Sequence, residues 1–434
     1  MARALDRHPL STSPLYRAIA RIGFGALPLA ARFSDKLAGG MAGRRAAVAT
    51  LKSWADSHRD QSRPLVWFHA PSVGEGLQAR AILELLRERH PDWQIAFTHF
   101  SPSAEAAAAR QPADVHAYLP ADTPDEVDAA LDALAPNALV FVKLDVWPEL
   151  ASRAAARGVP VLLVAATVSP VSGRIGWPAR AFTQAGYEAI ARAGAIAEGD
   201  AKRLELLGVR PDRITITGDP RFDSVSAMVS VSATEPSPIA QTGIAGIVAG
   251  STWGPDEEVL LAAYATVKRV HAGARLILAP HEPTPRNLDA VDALAARFGL
   301  QKPVRLAVAT GREDFILVDR VGVLARLYGS AEAAYVGGGF GRAGLHSVLE
   351  PAAWGLPVVF GPNWQSSREA GLLIKSSGGM ALPFSGAAAQ FAKVWQMWLN
   401  DEESRRTAGS RALGVVKSGL GGALANTQLV ETAI

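Results

Sequence analysis

The 434-residue chain has no cysteine. That excludes a disulfide framework, a thiolate zinc site, an iron–sulfur cluster and a cysteine nucleophile, and it fits a reducing compartment. Near the N-terminus, Ile22–Ala31 is an uncharged run of only ten residues, enclosed by Arg21 and Arg32. Crossing a bilayer takes about 20 apolar residues, so this run does not span one. Basic residues resume at once after it, so it does not read as a cleaved signal peptide either. The later uncharged stretches, 158–173 and 351–367, are broken by proline and glycine. No Gly-x-Ser-x-Gly elbow is present, which argues against an α/β-hydrolase. The nine histidines show no His-Glu-x-x-His or similar spacing, and no metal site is expected. With 49% hydrophobic and 20% charged residues, the composition is that of a globular protein of two or three domains.

The overall charge of +3 hides an asymmetry. Residues 1–59 hold ten Lys and Arg (Arg3, Arg7, Arg17, Arg21, Arg32, Lys36, Arg44, Arg45, Lys52, Arg59) against three Asp, a net +7, which leaves −4 for the remainder. Nucleic-acid binding would call for basic residues spread over a folded face with aromatics, and that pattern is missing, so no nucleic-acid partner is expected. Leu15, Ile19 and Ile22 share one face of a possible helix, with Arg17 and Arg21 on another. Such a segment suits peripheral contact with an anionic membrane surface.

From residue 64 onward, short apolar runs alternate with amphipathic stretches. Leu65–His69, Gln94–Thr98, Ala138–Val142 and Val159–Ala166 read as strands, Gly76–Arg89 and Asp125–Leu134 as helices. A helix is expected at Arg180–Ala193 and a strand at Ala195–Glu198. The Ser- and Pro-bearing stretch 224–242 lacks a clear period and reads as a domain boundary. After it the alternation restarts with Ile244–Ala249, Arg275–Ala279 and Ala333–Val336 as strands, and Ser347–Trp354 as a short helix. Strands that are apolar throughout and alternate with helices indicate α/β domains, each with a doubly wound parallel sheet. In such sheets ligands bind beyond the carboxyl ends of the strands, and a cleft between two domains is the default site.

Several strand ends carry residues with chemical potential. His69-Ala70-Pro71-Ser72-Val73-Gly74-Glu75 joins the first strong strand to its helix, and Glu75 there could take a proton from a sugar hydroxyl. Gly337-Gly338-Gly339-Phe340-Gly341-Arg342 follows Ala333–Val336, and glycine at these positions lets backbone amides converge on a phosphate. This is not a Walker A loop, since no Gly-Lys-Ser/Thr follows. Gly344 to Pro362 comes next, with Glu350 placed to accept ribose hydroxyls. Lys143 and Asp145 close the strand Ala138–Val142, Arg221 lies in Gly218–Asp223, and His281-Glu282 follows Arg275–Ala279. Cations gathered at strand ends suit an anionic substrate.

Together and in this order, 69–75, 218–223, Ala249–Trp253, Ala279–Glu282 and the 336–363 block resemble the Kdo (3-deoxy-D-manno-octulosonic acid) transferases of lipopolysaccharide synthesis, which are of the GT-B type. The resemblance runs from about Tyr16 to about residue 425. It implies a basic membrane-associating lead-in (1–60), an acceptor domain (61–225), a linker (226–242), a CMP-sugar domain (243–410) and a terminal helix returning to the first domain (411–434), with two Rossmann-like domains facing a central cleft. It also implies an inverting transfer of Kdo from CMP-Kdo to a lipid A precursor at the cytoplasmic face of the bacterial inner membrane, with no metal or other cofactor. By the same likeness Glu75 falls on the catalytic base, while Lys143, Asp145 and Arg221 assist the transition state. Ser72 and Gly74 would meet the acceptor, and His281, Gly322, Gly338, Gly339, Ser347, Val348, Leu349 and Glu350 the CMP.

The chain departs from the usual family pattern at several positions. Glu-Thr-Glu-Leu-Trp is replaced by Lys143-Leu144-Asp145-Val146-Trp147, Arg by His281, Met-Gly-Glu by Val321-Gly322-Val323, Asn by Ser347 and Lys by Arg221. The 344–362 block alone also fits another GT-B transferase or an epimerase. The changes at 143, 281 and 323 alone fit a non-catalytic sugar-nucleotide-binding derivative, against which the full motif around Glu75 speaks.

Overall fold

A computed structural model describes residues 12–31, 35–239, 246–342 and 344–434. Arg3, Arg7 and Arg32 of the basic run, residues 240–242 of the expected linker and Ile244 of an expected strand lie outside them. The chain forms two compact units, residues 1–224 with 420–434, and residues 225–419.

The first unit is built on seven parallel strands: β1 Leu65–His69, β2 Gln94–His99, β3 Val115–Tyr118, β4 Ala138–Val142, β5 Val161–Ala166, β6 Ile190–Ala195 and β7 Ile214–Ile216. Their order in the sheet is β3-β2-β1-β4-β5-β6-β7. Both faces of the strands are apolar because both are covered. Leu65, Trp67, Leu139 and Leu163 pack into one cluster with Leu51 and Leu131, while Val66, Phe68, Val140 and Val164 pack into another with Ile82 and Leu83. Alternate residues of one strand thus feed two separate cores.

The second unit repeats the plan with β8 Gly246–Thr252, β9 Arg275–Pro280, β10 Val304–Arg305, β11 Phe315–Leu317, β12 Ala333–Val336, β13 Val358–Phe360 and β14 Gly379–Ala381. Their order is β10-β11-β9-β8-β12-β13-β14, again parallel. Two doubly wound α/β units are therefore present, as expected for the GT-B class.

Three local expectations need correction. The helix expected at Arg180–Ala193 stops at Glu188, and Ile190–Ala195 is a strand rather than Ala195–Glu198. Alanine favours helix locally, but here the neighbours β5 and β7 supply a ladder on each side and decide the outcome. The described part of 226–242 is not simply linker, because a helix runs over Pro220–Thr234. Its serines turn their hydroxyls back onto helix carbonyls, Ser224 to Pro220 (3.1 Å) and Ser230 to Ser226 (3.0 Å), so a polar sequence still forms helix. The return to the first unit begins at Leu420 rather than at 411. Helix Glu402–Ser418 belongs to the second unit and buries Ala412 and Val416.

The returning helix Gly422–Glu431 packs Leu429 and Val430 into the core beside β1. Asn426, fully buried, accepts the Ala165 amide (3.1 Å) and the Thr217 hydroxyl (3.1 Å), and donates to the Gly422 carbonyl (2.7 Å). At the other end, helix Pro14–Ala31 is tied to the first unit by polar contacts. The Tyr16 hydroxyl donates to Asp122 (2.5 Å), and Arg17 pairs with Glu149 (3.0 Å). Its Leu15, Ile19 and Ile22 are 59%, 49% and 71% exposed, an apolar face turned to solvent. Among the described residues no helix is long and apolar enough to cross a membrane.

Candidate active site

In each sheet the strand order reverses once, between β1 and β4 in the first unit and between β8 and β12 in the second. The two connections leaving such a switch point run to opposite faces, which opens a crevice at the carboxyl ends of the strands. The sequence-derived candidates divide between these two places.

At the first switch point, Glu75 opens the helix Val73–Arg89 that follows β1, and Lys143 is the first residue beyond β4. The Lys143 ammonium lies 2.7 Å from Glu75 Oε1, and the Ser72 hydroxyl donates to Oε2. Burial of Glu75 would raise its pKa, but the bonds from Lys143 and Ser72 more than offset that, and the group is held below the usual carboxylate range. Lys143 has φ +68°, a left-handed conformation that costs a non-glycine residue about 1 kcal/mol. Its amide is anchored to the Val164 carbonyl at 2.9 Å.

Asp145 is the most heavily held group here. It accepts from His69 Nε2 (3.3 Å), the Trp147 indole (3.0 Å) and Arg174 (3.5 Å). Burial opposes its ionisation, yet these partners keep it ionised below the ordinary Asp value. His69 is completely buried, with Nδ1 beside the Thr98 carbonyl at 3.1 Å. Arg221 sits at the start of helix Pro220–Thr234 and grips Asp219, its Nε and terminal nitrogen lying 3.0 and 2.6 Å from Oδ2. Gln78, one turn along the helix from Glu75, reaches Asp219 Oδ1 at 3.4 Å. Arg221 is therefore a cation already matched by a carboxylate. Gly74 lies in the same first turn as Glu75.

At the second switch point the chemistry is different. Trp253 follows β8, His281 follows β9 and His346 follows the glycine loop after β12. Their rings stack: His281 lies 4.3 Å from His346 and 4.8 Å from Trp253, centroid to centroid. The Trp253 indole donates to His346 Nε2 at 3.0 Å, which leaves the proton of a neutral His346 on Nδ1. Burial, with His281 adjacent, pushes the His346 pKa down to about 4, so the ring stays neutral.

The glycine run does not act as expected. The amide of Gly337 is taken by the Gly250 carbonyl (2.9 Å) and that of Gly338 by the buried Asp256 carboxylate (2.9 Å). Those two N–H groups already serve protein acceptors and cannot also cradle a phosphate. What glycine supplies is clearance. Gly338 has φ +93°, and a Cβ there would run into the Gly344 carbonyl; at Gly339 it would come 2.6 Å from the Gly361 amide nitrogen.

Val348 and Leu349 bury their side chains, so only their backbone can face a ligand. Ser347 is exposed. Glu350, partly buried in the helix Leu349–Ala353, has no hydrogen-bond or ion-pair partner among the described residues, and burial raises its pKa to about 7. Gly322, at φ +83°, sits in the turn after β11, the neighbour of β9 in the sheet. Among the described residues no group of three or more His, Asp or Glu is arranged to hold a metal ion.

Sequence reasoning missed the ring stack, the hold of His69 on Asp145, and Asp256. The first two could have been found by asking which residue follows each apolar strand, since Trp253, His281 and His69 all stand at strand ends.

The family model for 3-deoxy-D-manno-octulosonic-acid transferase matches residues 41–224, a segment that contains Glu75, Lys143, Asp145 and Arg221. Curated relatives of that name extend the match across both units. The one from Haemophilus influenzae is 24% identical over 82% of this chain and 84% of its own. The one from Bordetella pertussis is 28% identical over 80% and 82%, and the one from Aquifex aeolicus 29% over 68% and 76%. The chain is thus similar to Kdo transferases, over residues 41–224 by the family model and across both units by these relatives. Solved structures similar to this chain share its fold at low identity. UDP-GlcNAc 2-epimerase from Neisseria meningitidis matches with TM-score 0.61 at 11% identity, covering 86% of this chain and 99% of its own. A glycosyltransferase from Rickettsia africae matches with TM-score 0.56 at 11%, covering 86% and 98%.

Proposed function

We propose that this protein is an inverting glycosyltransferase that moves Kdo from CMP-Kdo to a hydroxyl of a lipid A precursor in lipopolysaccharide synthesis. The observation that carries the reading is Glu75, held ionised at the switch point of the unit that the Kdo transferase model matches.

In the reaction the acceptor hydroxyl oxygen bonds to the anomeric carbon of Kdo as its proton passes to the Glu75 carboxylate. The bond from that carbon to the phosphate oxygen breaks, and CMP departs with the electron pair on the opposite face. Proton removal by a placed base is worth roughly 10²–10⁴ in rate. Ser72 and Lys143 orient Glu75, and Ser72 and Gly74 lie where the acceptor arrives. Asp145, fixed by His69, Trp147 and Arg174, gives a stationary negative charge suited to an oxocarbenium-like transition state. Arg221, pre-oriented by Asp219, offers a cation to the leaving phosphate.

The second unit takes the nucleotide. The stack of His281, His346 and Trp253 offers flat apolar faces, and Glu350 a carboxylate that has no hydrogen-bond or ion-pair partner among the described residues. A ribose diol can donate both hydrogens to it. Ser347, the backbone of Val348 and Leu349, and the clearance at Gly338 and Gly339 shape the same place, and Gly322 contributes a backbone turn. The chemistry uses no metal in this reading.

The exposed Leu15, Ile19 and Ile22 beside Arg21 suit peripheral docking on anionic lipid at the cytoplasmic face of the inner membrane. Purified protein incubated with CMP-Kdo and a lipid A precursor is expected to add the mass of Kdo, read by mass spectrometry, with UDP-sugars giving no product. Transfer from UDP-sugars alone would instead favour another transferase or epimerase of this fold.

A further inference from the structure

We infer that Lys143 is a specificity switch for an acidic sugar: it neutralises Glu75 until a ligand carboxylate takes the ammonium over. This rests on the proposed role of Glu75 and adds how that residue is turned on.

A carboxylate paired with an ammonium at 2.7 Å is a poor proton acceptor, because the charge that would attract the proton is already compensated. The two partners are not equally fixed. Glu75 is 13% exposed and held on its other oxygen by Ser72, whereas the Lys143 side chain is 43% exposed. The lysine backbone is clamped by the Val164 carbonyl in a left-handed conformation, so the movable part is the side chain. Among the described residues Glu75 is the only ion-pair partner of Lys143. The other charges around this switch point are already engaged: Asp145 by His69, Trp147 and Arg174, and Arg221 by Asp219. Lys143 is thus the group a new anion can recruit without breaking a second network.

The sugar to be transferred is an acid whose carboxylate is attached to the reacting carbon. Arriving at this switch point, that carboxylate draws the ammonium from Glu75. The freed carboxylate then accepts the hydroxyl proton. A neutral sugar leaves the pair closed, so recognition of the acid and activation of the base become one event.

The test follows the Glu75 carboxyl by carbon-13 NMR titration, assigned with Glu75→Gln, and the pH profile of kcat/KM. In Lys143→Met the Glu75 midpoint and the acid limb of kcat/KM both move to higher pH. KM for CMP-Kdo rises at least about tenfold, and Lys143→Arg restores most of each. Free 3-deoxy-D-manno-octulosonic acid raises the Glu75 midpoint in the wild type and leaves it unmoved in Lys143→Met. A midpoint indifferent to both the substitution and the sugar acid overturns the switch, even if transfer proceeds. Absence of any transfer by the wild type, with the titration behaving as described, overturns the function instead and leaves the switch standing.

Discussion

The two units share a strand order and a switch point but prepare them in opposite ways. In the first, charge faces charge, with Glu75 on Lys143, Asp145 beside His69 and Arg174, and Arg221 on Asp219. In the second, the corresponding place holds stacked rings, glycines, the Asp256 carboxylate bound to the Gly338 amide, and Glu350, which has no hydrogen-bond or ion-pair partner among the described residues. One architecture therefore carries two different strand-end environments, and the residues at the strand ends make the difference. In the proposed reading, paired charges fix protonation states for chemistry, whereas clearance and flat surfaces would hold a ligand that brings its own charge.

Substitutions at the two places should separate these tasks. The largest effect is expected from Glu75→Gln, which keeps shape but cannot accept a proton. Turnover should fall at least about 100-fold while CMP affinity, measured by calorimetry, stays within about twofold. Equal losses in both would dissolve the distinction between the units. Gly338→Ala should do the converse. A methyl group at φ +93°, aimed at the Gly344 carbonyl, displaces the loop, and CMP affinity should drop about tenfold or more while the Glu75 titration is unchanged.

The smallest effect is the most diagnostic. Glu350 has its pKa raised by burial to about 7, against about 4.3 in an unfolded chain. The native state keeps the proton between about pH 4 and 7 while the unfolded state releases it, so stability falls over that window and levels off above about pH 7. Glu350→Gln removes the charge. Its melting temperature should therefore exceed that of the wild type at about pH 8 and match it only near about pH 4, while CMP binding weakens. A carboxylate kept at the expense of stability is the mark of a ligand-binding group.

Much of this was legible from residue order. Strands such as Leu65–His69 and Ala138–Val142 are apolar on both faces, which by itself predicts a covered parallel sheet, and the chemically notable residues follow directly after them. Reading failed where long-range pairing overrides local preference. Ile190–Ala195 is strand because β5 and β7 flank it, and β14, three partly exposed residues Gly379–Ala381, has no pattern of its own. The ring stack escaped notice because Trp253, His281 and His346 are distant in sequence and meet only through the order β9-β8-β12. The glycine run was overread for a related reason: nothing local reveals that Asp256, on a different connection, occupies the Gly338 amide.

The helix Gly422–Glu431 has a consequence for how the molecule is made. Its Asn426 completes the ends of β5 and β7, and Leu429 and Val430 finish a core that begins with β1. A ribosome therefore releases nearly every residue of the second unit before the first receives its last wall. Until then the Ala165 amide and an apolar seam stay open to water.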